Sequence, residues 1–470
     1  MTKSLKAHNT AKVRPGAVMI VRLCIVLVSA AAFALYSVEK AGKFQFWNFI
    51  LPFAALALFD VCAWLAVPKL IKSIGGNDEF EAVGVKPEVS TVRRFIVICV
   101  FSLLLHAALF ILGVWLYGAV KGYEGNLLKY WRIAWMKQNT DAGHYLTIAK
   151  NWYVTSGNDQ LLLVFFPLYP MLIRALDIIV QDGFVSAQII NAAAVSLMSG
   201  TVYLTLRQWL GDRRAAAGAF IALLLPGAVF LNSPMTEPLF MLFCSAAFLF
   251  IQKKRYIAAG IFTCLAGMTR SLGVLMCVPL FTVGICDVIN AIRRKEKYAA
   301  TLLKLGAGLL IGICGTLYYL YLNYSLFGDP LKFLEFQASN WNQEACPFFD
   351  TPRYALDNLI AAFKNNGSIH VAYSLWIPNF IAIFGSLALM CAIHKDMPFS
   401  YTAFFLCYFA AAIGCTWLLS ATRYICAAVP VTAALAILCK KRSVTVILFT
   451  ALSVSYITYL LMYMLRWSIY

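Results

Sequence analysis

The sequence predicts an all-helical protein that crosses a membrane many times, and three observations predict it. Apolar residues fill 61% of the 470 positions and charged residues only 13%, where a soluble chain of this size carries about 25% charged residues. Apolar runs of about 20 residues recur along the whole chain, the length at which a helix rising about 1.5 Å per residue crosses a hydrocarbon core about 30 Å thick. The alternating ten-residue segments of barrel strands do not occur.

The first run, 17–37, follows Lys3, Lys6, Lys12 and Arg14 and contains the stretch "SAAAFA", which imitates a signal peptide. It is longer than a signal-peptide core, so an uncleaved span is expected. With 47–70 it forms a two-helix extension over residues 1–94, and the main membrane domain follows over 95–470. The spans of that domain are 95–120, 184–206, 214–232, 236–251, 255–269, 271–290, 299–322, 373–394, 400–419, 422–439 and 444–465, for a total of about thirteen. The run 161–180, "LLLVFFPLYPMLIRALDIIV", is not expected to cross. Its two prolines remove backbone donors, and Arg174 and Asp177 would each cost about 2.5–3.5 kcal/mol at mid-bilayer.

Basic loops decide the orientation. If 161–180 does not cross, "RQWLGDRR", "QKKR", "RRKEK", "KKR" and the stretch 68–94, with Lys69, Lys72, Lys86, Arg93 and Arg94, all share one side with the N-terminus. The positive-inside rule makes that side cytoplasmic. It also accounts for the net charge of +18 without nucleic acid, since Lys and Arg in short loops meet anionic lipid. Of the fourteen cysteines, only Cys346 sits in a long polar loop, so a disulfide framework is excluded.

The other side then collects every loop with chemical character: "TDAGHY", "FFPLYP", "NSPMTEP", "TRSLG", "FGDPLKFLEFQ" and "SATRY". Its two longest segments are 121–183 and 323–372. In the first, Leu128, Trp131 and Trp135 recur at helical spacing, as do Tyr145, Ile148, Ala149 and Trp152. Amphipathic helices lying in the membrane interface are expected there.

Each candidate residue has two readings. Asp141 is either the N-cap of a helix or a general base. His144, three residues on, either orients that carboxylate, contacts a phosphate, or bonds within the interface. Glu237 is either a helix-start acid or a ligand. Arg270 and Arg423 either snorkel to headgroups or bind an anion, for which the guanidinium fork suits phosphate. Asp60 is an intramembrane acid without an evident partner.

Asp141-x-x-His144-Tyr145, then "FFPLYP", "TE", "TRS-x-G", "GDPLKFLEFQ" and "RY" before Pro430, stand in the order seen in PIG-V-like mannosyltransferases. The chain resembles that family, the GPI mannosyltransferase 2 family with its prokaryotic relatives, of the GT-C glycosyltransferase class. The resemblance covers roughly residues 95–450. It implies a catalytic acid in the first large extracytoplasmic loop, a polyprenyl-phosphate-linked sugar donor and inversion at the anomeric carbon. Asp141 is carried over as the catalytic carboxylate, and His144, Tyr145, Glu237, Arg270 and Arg423 as site residues. Two departures stand out: Thr140 occupies the place where the family usually has Trp, and the first two spans precede the region of resemblance.

On this reading Asp141 takes the acceptor proton, Arg270 and Arg423 hold the lipid phosphate, and outward aromatics such as Trp152 and Tyr169 stack on sugar or guide the isoprenoid tail. No metal box is evident, so no obligatory metal or other cofactor is expected. The acceptor is a glycan, lipid or protein hydroxyl. The plasma membrane is the expected site in a prokaryote and the endoplasmic reticulum in a eukaryote; the prokaryotic likeness favours the former. A transporter or flippase of lipid-linked sugar is the rival class, and it would call for internal repeats and mid-membrane polar groups.

Overall fold

The computed structural model describes residues 15–40, 46–76, 79–80, 89–137, 140–365 and 368–470, without the side chains of 46–48, 89–90 and 127–128. Lys3, Lys6, Lys12, Arg14, Lys86 and the Leu128 side chain lie outside the described residues. The described chain is helical from end to end. Eight of its helical segments are long and apolar enough to cross a membrane, or up to eleven if each bent pair counts as one span.

The N-terminal helices α1 (Pro15–Lys40) and α2 (Phe46–Ile74) pack on each other. Asp60 has a partner after all, because the Ser29 hydroxyl donates to its Oδ1 at 2.7 Å. After α3 (Val89–Lys121), the polar segment folds into short pieces: α4 (Trp131–Trp135), α5 (Ala142–Asn151), a 3-10 turn Asn158–Val164 and α6 (Leu168–Val180). The run 161–180 is not a straight rod; its two halves meet at 115°, at Pro167. Its charges serve packing. Arg174 Nη1 donates to the carbonyls of Ala149 and Lys150 at the end of α5, each at 3.3 Å, and the Ser186 hydroxyl donates to Asp177 at 3.3 Å.

The short helices of this segment turn much of their apolar face to protein. Trp135 is wholly buried, stacked on Phe110 with ring centroids 5.4 Å apart. Tyr145, Ile148 and Ala149 pack inward with Leu163, Tyr169 and Ile173. An apolar helical stripe can be covered by a neighbouring helix as well as by lipid, and here α6 covers it.

The remaining helices are α7 (Gly183–Leu210), α8 (Asp212–Leu224), α9 (Glu237–Gln252), α10 (Tyr256–Thr269), α11 (Cys277–Arg293), α12 (Ala299–Phe327), α13 (Lys332–Trp341) and α14 (Thr351–Lys364). The short α15 (Ile369–Val371) leads through a π-helical turn into α16 (Ile377–Ala392), and α17 (Phe399–Ile413), α18 (Ala421–Ala427), α19 (Val429–Leu438) and α20 (Arg442–Met464) complete the chain. Two expected straight spans are bent. Residues 212–232 turn by 73° before Pro226, and 421–438 turn by 71° at Ala428, two residues before Pro430. A proline ring clashes with the carbonyl four residues back and gives no donor, so each helix restarts in a new direction. Helices α10 and α12 touch backbone to backbone: a Cβ on Gly260 would stand 2.2 Å from the Gly308 carbonyl oxygen.

The basic loops gather at one end. Arg94 and Arg207 pair with Asp212, Lys254 with Asp287, Lys440 with Asp396, and Asn290 donates to the Ser73 carbonyl. The helices α9, α10, α11 and α19 lead away from that end toward the loops that carry the sequence motifs.

Candidate active site

Five of the expected site residues meet in one cavity of about 550 Å³: Asp141, His144, Tyr145, Arg270 and Arg423 line it. Glu237 lies just behind its wall. The fold brings them from four elements. Asp141 precedes α5, Glu237 opens α9, Arg270 follows α10, and Arg423 sits in α18 ahead of the bend at Ala428.

The four charged groups form a chain. Arg270 Nη1 lies 2.5 Å from Glu237 Oε1, Arg423 Nε lies 3.2 Å from the same oxygen, and Arg423 Nη1 lies 2.9 Å from Asp141 Oδ2. Side-chain exposure rises from 3% at Glu237 through 6% at Arg423 and 13% at Arg270 to 29% at Asp141. The buried links therefore hold the group together, and the Asp141 carboxylate is the most exposed of the four. A buried ion is retained only when paired, so each arginine is tied to the acids. Burial works against the Arg270 charge, and Glu237 more than offsets it, leaving the guanidinium firmly protonated. Neither arginine snorkels to the surface.

Glu237 is the first-turn acid of α9, and neither helix start is closed by a side-chain cap. Asp141 makes no side-chain bond to the α5 N-terminus, and Thr236 makes none at α9. Tyr424 stands between the two arginines, its ring 5.1 Å from the Arg270 guanidinium and 5.4 Å from that of Arg423. Sequence reasoning missed it, although "RY" was in view. Gly273 explains the "TRSLG" motif: a Cβ there would meet the Ala266 carbonyl carbon at 2.1 Å, so only glycine lets the chain after Arg270 fold back on α10.

His144 does not hydrogen-bond Asp141 among the described residues. Its ring stacks on Phe165, with centroids 5.0 Å apart, and meets Trp341 at right angles at 6.4 Å. Tyr145 is buried beside the acid, and burial, then the Asp141 carboxylate, raises its phenol well above its ordinary value. Tyr169 is fully buried behind Tyr145 and does not line the cavity, and neither does Trp152. Thr140, where the family usually has Trp, is buried and donates to the Lys137 carbonyl at 2.7 Å. Lys137, also missed, donates to the carbonyls of Trp467 and Ile469 at 2.6 Å each, which anchors the segment ending in the cavity-lining Tyr470. Burial, then the neighbouring Arg466, pulls its ammonium down to about 7. Among the described residues no three His, Cys, Asp or Glu side chains converge as metal ligands.

Chemically, the arrangement offers an accessible carboxylate beside two fixed guanidinium groups. It can take a proton from a hydroxyl and receive an anion on adjacent atoms.

Residues 166–319 match the family described as dolichyl-phosphate-mannose-protein mannosyltransferase. No curated protein matches the chain. Among solved structures, ArnT from Cupriavidus metallidurans bound to undecaprenyl phosphate is similar with a TM-score of 0.43 and 16% identity, covering 71% of this chain and 59% of that one. The apo state of the same protein gives 0.42 and 16%, covering 69% and 59%. The chain thus spans less than two thirds of the ArnT length. The matched family differs from the PIG-V-like one that the ordered motifs resemble, and over residues 166–319 the chain is similar to membrane glycosyltransferases of the dolichyl-phosphate-mannose type.

Proposed function

We propose that the chain is an integral-membrane glycosyltransferase that moves a hexose, mannose by the motif order, from a polyprenyl-phosphate-linked donor to a hydroxyl acceptor with inversion. The active site faces the extracytoplasmic side. The supporting observation is the convergence of Asp141, Arg270 and Arg423 in one cavity, tied together by Glu237 behind its wall, at the end of the helices away from the basic loops. The family likeness of residues 166–319 points the same way.

Asp141 is the general base. The acceptor hydroxyl gives its proton to the Asp141 carboxylate as its oxygen bonds to the anomeric carbon. The bond from that carbon to the phosphate oxygen breaks, and its electron pair stays on the polyprenyl phosphate. Arg270 and Arg423 take up the charge that develops there. In the free protein Arg423 Nη1 is engaged with Asp141. A phosphate that competes for Arg423 releases the carboxylate, so donor binding arms the base. One acid working by direct displacement inverts the centre, since a retaining mechanism calls for a second carboxylate as nucleophile.

The test uses purified protein in lipid nanodiscs with polyprenyl-phosphate-[¹⁴C]mannose and an extract of envelope glycans and lipids. Asp141→Asn keeps the shape and removes the base. Transfer is expected to fall about 10²–10⁴-fold. Wild-type rates in that variant would remove Asp141 from the mechanism, and a wild-type protein that moves donor across a bilayer without forming a glycosidic bond would establish the transporter instead.

A further inference from the structure

The charged floor of the cavity faces a wall of different chemistry. One face of α13, at helical spacing, brings Phe333, Gln337, Asn340 and Trp341 to the cavity. Trp341 stands at right angles to Phe165, 5.9 Å away, and to His144, so three rings frame an apolar corner. The Gln337 and Asn340 amides bond to no protein atom among the described residues. The opposite face of α13 holds the charges of the helix: Lys332 and Glu335 pair with each other at 2.6 Å and stay out of the cavity. On the cavity side α13 presents only neutral side chains.

We propose that this wall is the acceptor subsite and that the acceptor is a glycan, an uncharged pyranose stacked at Trp341 with its hydroxyls on Gln337 and Asn340. This rests on the transferase reading above and names the acceptor that reading leaves open. A pyranose has C–H faces that pack on aromatic rings and a rim of hydroxyls that both donate and accept. Primary amides do the same, which makes them matched partners. A phosphorylated or carboxylated acceptor would call for cations beyond Arg270 and Arg423, and α13 offers none to the cavity. A peptide acceptor would bring a run of backbone donors and acceptors, best met by a strand edge or an extended groove. The described residues contain one isolated bridge, Ala345 with Cys415, and it lines an adjoining cavity of about 400 Å³, not the one that Trp341 and Asn340 line.

The subsite also fits the geometry of transfer. His144 and Tyr145 follow Asp141 on α5, so a sugar seated against His144, Phe165 and Trp341 presents its rim to the carboxylate, while the lipid phosphate occupies the arginines on the far side.

The test reads binding and chemistry separately. Saturation-transfer NMR on the full protein in nanodiscs is run with methyl glycosides of mannose, glucose, galactose and N-acetylglucosamine, and with a Ser/Thr peptide. At least one glycoside is expected to show transfer to its ring C–H protons, and the peptide none. Trp341→Ala is expected to weaken that binding at least ~10-fold, a factor worth about 1.4 kcal/mol, and Trp341→Phe to restore most of it. Asn340 is exposed, so Asn340→Ala tests the wall without endangering the fold; a loss of about threefold or more is expected, equivalent to roughly 0.65 kcal/mol. Peptide binding equal to that of the glycosides, no glycoside binding at all, or binding unchanged in both Trp341→Ala and Asn340→Ala would overturn the assignment. Glycoside binding in a protein that never consumes donor would leave the wall as a sugar-binding site and overturn its role as an acceptor subsite together with the transferase reading.

Discussion

Glu237 is the residue whose loss the structure prices most clearly. Its Oε1 sits 2.5 Å from Arg270 and 3.2 Å from Arg423, and only 3% of its side chain is exposed. Glu237→Gln keeps the volume and removes the charge, leaving two guanidinium groups buried with Asp141 alone as counter-ion. Removing one partner of a buried pair costs about 3–5 kcal/mol, because the orphaned charge keeps its desolvation penalty. Asp141, at 29% exposure, shares its charge with water, so Asp141→Asn is expected to cost about 1 kcal/mol or less. The assay is a double-mutant cycle on the folded fraction of detergent-solubilised protein after heating, with Glu237→Gln, Arg270→Gln and both together. Coupling between Glu237 and Arg270 is expected at about 2 kcal/mol or more, within the range seen for groups in contact. Additive effects, or equal destabilisation by Asp141→Asn and Glu237→Gln, would show that the buried links do not hold the site together.

Two other perturbations follow. Gly273→Ala places a methyl 2.1 Å from the Ala266 backbone, which cannot give way, so transfer is expected to fall together with thermal stability, whereas Gly306→Ala, with nothing within 4 Å, leaves both unchanged. Lys137 binds its proton less tightly in the folded chain, with its ammonium near 7, than in the unfolded chain at about 10.5. Between those values the unfolded state holds more protons, so stability rises with pH from about 7 upward. Melting curves from pH 6 to 10 are expected to show that rise in the wild type and a flatter profile in Lys137→Met.

Much of the fold was legible because the bilayer imposes a length and a composition on each span. Residues 161–180 were set apart by two prolines and two charges, and the chain bends there by 115°. The breaks near Pro226 and Pro430 carry the same proline signal, yet the hydropathy of each run reads as one continuous span, since hydropathy averages over a bend. Asp141, Glu237, Arg270 and Arg423 were legible as types in the wrong chemical setting, acids and outward arginines beside apolar runs. Their pairing was not legible. It depends on the direction α18 takes before its bend, and no local pattern encodes that. Tyr169 and Trp135 mislead for a related reason: an aromatic at helical spacing has the same signature whether lipid or a neighbouring helix covers it. The face of α13 could have been found from Phe333, Gln337 and Trp341, spaced four apart, but a motif known for its order draws attention from its periodicity.

The two arginines and two acids of the site cancel one another. A small dissolved anion that drifts in meets guanidinium groups already paired with carboxylates, and it must pry Arg423 from Asp141 with no contact elsewhere to compensate. An anion carried on a lipid comes tethered at the membrane, at a high effective concentration, and with a tail that adds contacts of its own. On the proposed mechanism, self-neutralisation would act as a filter, keeping the base locked against common salts and opening it only for a ligand that arrives through the bilayer.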